Sequence, residues 1–144
     1  MTAGAASGRL LAPLVLALAG GAHPAAAEPM DPARYLAAVA GRTFDWRDDR
    51  GALVVRQRFA ADARTSTVEL PDGSCATLRI LAPAPGDDGF CYVALKGPID
   101  DQCWRPSRDA AGFRAVRTDP PGAGLALRAS PSAAALCRGA AHTS

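Results

Sequence analysis

Histidine is nearly absent from this sequence of 144 residues: His23 and His142 are the only two, one just after an N-terminal apolar run and the other beside the C-terminus. A metal centre rich in imidazole or a nucleophile activated by a buried histidine has no material here. No Cys-x-x-Cys occurs, and no glycine-rich loop joins a strand to a helix, so neither a redox dithiol nor a nucleotide cradle is written in the chain. Long hydrophobic runs are missing too. The best, Leu10 to Ala22, is about 13 residues broken by Pro13 and Gly20-Gly21, short of the roughly 20 that span a bilayer. Charge of one sign is also lacking, since the formal net charge is +2. Fifteen of the 16 basic residues are Arg and Ala fills 33 positions, a bias that a GC-rich genome produces without any nucleic-acid surface.

The N-terminus carries Arg9 and no acid, then the apolar run, then Ala25-Ala26-Ala27 before Glu28. This is the pattern of a cleaved signal peptide over 1–27, with no cysteine after it to take a lipid. The destination expected is a periplasm or the outside medium. A mature chain of about 117 residues makes one domain, and removal of Arg9 leaves fifteen basic residues against fourteen acidic. Four cysteines, an even number, suit disulfides in an oxidising compartment.

Asp31-Pro32 at the head of Ala33–Ala40, with Gly41 behind it, spells one short helix: an N-cap acceptor, a proline tolerated in the first turn and a glycine stop. Tyr35, Leu36 and Val39 share its apolar face. Beyond Gly41 the apolar period drops to two. Strands are predicted over Thr43–Arg47, Ala52–Ala60, Thr65–Leu70, Cys75–Ala82, Phe90–Leu95, Gln102–Ser107, Gly112–Arg117 and Ala123–Ala129, separated by Asp, Gly and Pro clusters. No interval is long enough for a crossover helix, so the strands run antiparallel. Alternation puts Phe44, Trp46, Leu53, Val55, Phe59, Val68, Leu70, Leu78, Ile80, Phe90, Tyr92, Trp104, Phe113, Leu125 and Leu127 on one face and most of the arginines on the other. The fold expected is all-β: an antiparallel meander of about eight strands closed into a small barrel or sandwich, with one short N-terminal helix at one end. The domain runs over 28–137, and 138–144 reads as a disordered tail.

Four cysteines allow three connectivities. Cys75, Cys91 and Cys103 have outward parity on consecutive strands, where only direct neighbours come within the roughly 7 Å that a disulfide requires. Cys91 with Cys103 is the feasible neighbouring pair, through a tight hairpin across Lys96-Gly97-Pro98, and Cys75 is then left to Cys137.

Asp48-Asp49, Asp87-Asp88 and Asp100-Asp101 all fall in turns, where aspartate is an ordinary turn former, and no calcium-loop spacing surrounds them. The outward arginines are largely balanced by acids. Trp46, Phe59, Phe90, Tyr92, Trp104 and Phe113 remain as candidate ligand-binding residues, because an eight-stranded barrel is just wide enough either to fill with side chains or to hold one small ligand.

Gly41-Arg42-Thr43-Phe44 after a short helix, Asp72-Gly73-Ser74-Cys75, Phe90-Cys91-Tyr92, Gln102-Cys103-Trp104-Arg105 and a final Cys137 together resemble small exported proteins of unknown function common in alphaproteobacteria. The chain departs from their pattern in having no aromatic residue in Thr65–Leu70 or Ala76–Leu81. The resemblance implies an exported, crosslinked domain and no particular activity. The functional expectation is a monomeric, non-enzymatic binding module, without metal or cofactor, that takes a small apolar ligand or an envelope protein and neither nucleic acid nor membrane. The alternative is a protein inhibitor of a hydrolase that presents Pro83–Gly89 or Lys96–Asp101.

Overall fold

The computed structural model of the protein describes residues 27–132 and 135–137. The expected leader, apart from Ala27, and the expected tail 138–144 lie outside them. Nine strands and one helix follow in order: β1 (Glu28–Pro29), α1 (Pro32–Val39), β2 (Thr43–Arg47), β3 (Leu53–Phe59), β4 (Thr65–Glu69), β5 (Cys75–Leu81), β6 (Phe90–Lys96), β7 (Gln102–Asp109), β8 (Gly112–Asp119) and β9 (Pro121–Ala129). Each of the eight predicted strands is present within a few residues. The two-residue β1, which pairs Glu28 and Pro29 with Arg108 and Ser107, carries no sequence signal of its own.

Strands β2 to β9 pair in sequence order, all antiparallel, and β9 returns to β2, so the sheet closes into an eight-stranded barrel. Closure removes the free edges that a single wet-faced sheet would carry. The turns are built by the local chemistry of aspartate: Asp48 Oδ1 accepts from the backbone N–H of Arg50 and Ala52, both at 2.9 Å, and Asp72 Oδ1 accepts from Ser74 N–H at 2.9 Å. Connections alternate between two ends. The turns after β2, β4, β6 and β8 crowd one end, and α1 sits with the other connections at the opposite end.

Helix α1 starts as its sequence dictates, with Asp31 Oδ2 accepting from Arg34 N–H at 3.3 Å and Pro32 in the first turn. It buries Tyr35, Leu36 and Val39 and plugs the barrel. Tyr35 stacks on Phe90 at 5.2 Å and meets the edges of Phe113 and Phe59 at 5.7 and 6.5 Å, while Phe44 closes the same cluster against Phe59 and Phe113. This end of the barrel is full.

Three details depart from the sequence reading. The register shifts between Trp46 and Arg47, so Leu53 lies opposite Arg47 and drops out of the core that Val55 and Phe59 join. Asp45, on the outward parity of β2, is nevertheless only 1% exposed, because Arg56 Nε and Arg47 reach its carboxylate at 2.7 and 3.2 Å. The β6–β7 ladder holds only the pairs Phe90–Trp104, Cys91–Cys103 and Tyr92–Gln102, and then stops. The chain between them runs as a wider loop, not the tight hairpin expected across Lys96-Gly97-Pro98.

Both disulfides have the connectivity favoured by parity: Cys91–Cys103 joins directly opposed residues, and Cys75–Cys137 straps the C-terminal segment to β5. The first clamps the shortest ladder of the barrel. The second is backed by Cys137 N–H, which donates to Glu69 Oε2 at 3.0 Å.

Candidate functional site

The end opposite α1 is not filled. A chamber of about 400 Å³ opens there, within the roughly 300–1,000 Å³ usual for small-molecule sites. Its walls come from inward-facing residues of six strands: Trp46 of β2, Val55 and Gln57 of β3, Val68 of β4, Leu78 of β5, Tyr92 of β6 and Trp104 of β7, with Leu70 and Leu125 closer to the rim. The β6–β7 loop, Pro98 to Asp101, borders the mouth, as do Arg117 and Pro120. The loop's seat depends on Gly97, which has φ +98° and packs against Cys75 O and Ala76; a Cβ there would collide with both. Asp101 Oδ1 fixes its far side by accepting from Ala94 N–H at 2.7 Å, covering the part of β6 that β7 leaves unpaired.

The six candidate aromatics divide between the two ends. Trp46, Tyr92 and Trp104 line the chamber, whereas Phe59, Phe90 and Phe113 belong to the packed cluster under α1. The two indoles, the only tryptophans in the chain, meet at 5.0 Å with their planes 63° apart. Trp104 Nε1 donates to Gln102 Oε1 at 2.9 Å, which orients its ring in the wall. Sequence reasoning missed Gln57 and Arg117. Both had a signal in parity, since Gln57 lies between Val55 and Phe59 and Arg117 continues the inward series Phe113, Ala115.

The polar lining is sparse and unevenly satisfied. Gln57, 2% exposed, donates from Nε2 to Ser66 Oγ at 2.7 Å. Its carboxamide lies close to the Tyr92 hydroxyl, yet no hydrogen bond of ordinary geometry joins them. Trp46 Nε1, Tyr92 Oη and Arg117 Nε are all buried without a partner among the described residues. Burial pushes the Tyr92 phenol well above its usual pKa, with the neighbouring Gln57 a smaller opposing influence, so the group stays a neutral O–H donor. Tyr35 carries the fourth orphan atom among the described residues, its hydroxyl, at the plugged end.

Other clusters among the described residues offer no comparable site. Glu69, Cys75 and Cys137 bring three ligand atoms together, but the two sulfurs are bonded to each other and offer no thiolate. Asp48, Asp72 and Asp87 spend carboxylate oxygens on backbone N–H groups of their own turns. No helix among the described residues is long and apolar enough to cross a membrane. No family model, curated protein or solved structure matches the chain.

Proposed function

We propose that the protein is an exported, non-enzymatic binding module that holds one small, largely apolar ligand in the mouth of its barrel. The observation that carries this reading is the 400 Å³ chamber walled by Trp46, Trp104, Val55, Val68 and Leu78 in a barrel whose other end is packed solid. A barrel that needed its aromatics only for a core would pack both ends alike, because voids cost stability. Export is supported by the leader-like segment, by two disulfides in a single small domain and by the resemblance to exported alphaproteobacterial proteins. The inhibitor reading keeps one observation in its favour: Ala84–Asp88 is exposed throughout and braced by Asp87 Oδ2, which accepts from Ala84 N–H at 2.7 Å.

The test is titration with the neutral, environment-sensitive dye Nile red. We expect saturable one-to-one binding with a blue-shifted emission, lost in Val55→Phe, which puts a ring into the chamber. Absence of binding by the folded protein, or undiminished binding by Val55→Phe, contradicts the proposal.

A further inference from the structure

We infer that the ligand is an amphipathic monocarboxylate, its apolar body in the chamber and its carboxylate at Arg117. This rests on the binding-module reading above and adds the chemical class of the ligand.

Three of the four orphaned buried polar atoms among the described residues belong to chamber-lining side chains, and all three can donate: an indole N–H, a phenol O–H and a guanidinium N–H. The natural complement of unpartnered donors lining one chamber is a group that only accepts. Among the described residues, Arg117 is the one cation of the lining, and no ion pair engages it. The nearby Arg114, by contrast, is held by Asp49 at 3.3 Å.

Arg117 is also positioned. It lies opposite Trp104 on the β7–β8 ladder, and its guanidinium rests on Gly122, where a Cβ would approach Nε and Nη2 to 2.7 Å. A planar fork held flat at the edge of an apolar chamber suits a carboxylate better than a diffuse charge does. Asp100 and Asp101 flank the mouth, but both are solvent-exposed and their charges are screened. They disfavour a multiply charged head and so narrow the class to monoanions. A cation is the poorer fit: the two indoles close on each other at 5.0 Å, leaving no cage between them, and Arg117 would repel it.

The test uses the purified, disulfide-bonded protein at pH 7 and three probes sharing one alkyl body: octanoate, octanol and octyltrimethylammonium. Both tryptophans line the chamber, so intrinsic fluorescence reads occupancy directly. We expect octanoate to bind at least tenfold more tightly than octanol, with octyltrimethylammonium weakest. Arg117→Gln should remove the preference for octanoate over octanol, and Arg117→Lys should retain part of it, with circular dichroism confirming that both variants fold. Octanol or the ammonium probe binding as well as octanoate overturns the inference, as does a preference that survives Arg117→Gln. In those cases the apolar chamber still binds and the function proposed above stands. If none of the three probes binds, that function falls and the inference falls with it.

Discussion

Asp45 shows how a single residue can invert the expectation that alternation sets. Its parity places it on the wet face of β2, opposite Arg56 on β3 and Arg128 on β9, yet the arginines cover it so completely that it belongs to the buried set. Burial pulls its carboxyl upward, but hydrogen bonds from Arg56 and Ser130, with the charges of Arg56 and Arg47, outweigh this and hold it below the usual carboxylate value. A group depressed in the folded state stabilises above its unfolded pKa, near 4, and loses that contribution as pH falls through the folded value. We therefore predict that Asp45→Asn lowers stability at pH 7 by about 2 kcal/mol, the range of hydrogen bonds to charged groups. The deficit should shrink below about pH 4, as urea unfolding across pH 3 to 7 would show. A difference independent of pH would mean that the carboxylate's charge plays no part. Parity could not announce this burial, because it depends on long arginine stems folding over a short acid from neighbouring strands.

At the scale of elements, turns and alternation were legible and ladder lengths were not. Asp, Gly or Pro marked every connection between the barrel strands, down to the single Asp62 and Asp109 of two of the short ones, since each has a local conformational cause. The premature end of the β6–β7 ladder has no local cause: it follows from Gly97 packing on Cys75 and Ala76 and from Asp101 capping Ala94 N–H. The bulge that displaces Leu53 is likewise a matter of register between two strands. The disulfides compensate where pairing is thinnest. Cys91–Cys103 closes a sequence separation of 12 and Cys75–Cys137 one of 62, stabilising by about 3 and about 4 kcal/mol in the chain-entropy treatment. Replacing Cys75 and Cys137 together by Ala should lower the melting temperature by several degrees and expose the C-terminal segment to limited proteolysis, with the barrel surviving as the resistant fragment. An unchanged cleavage pattern would mean that the strap is redundant with the Glu69 contact.

The whole molecule is a barrel with unlike ends. Eight aromatic residues serve 144 positions, and five of them, Tyr35, Phe44, Phe59, Phe90 and Phe113, gather under the helix. The other end keeps Trp46, Tyr92 and Trp104 around a space. A closed barrel or a sandwich, about eight strands and most of the inward set were readable from a two-residue period, Leu53 being the exception. The partition of rings between plug and chamber was not, because it depends on how far along the barrel axis each ring sits, which strand stagger decides. The chamber is thus the least sequence-evident feature and the one on which function turns.

Labelling Trp46 and Trp104 with 5-fluorotryptophan and following fluorine NMR during addition of Nile red tests the chamber most directly. Both resonances should shift and saturate together at one dye per chain, while 4-fluorophenylalanine signals from Phe59 and Phe113 under the helix stay in place. Indole resonances that do not move, or phenylalanine signals that move with them, would contradict a ligand held in the open end of the barrel.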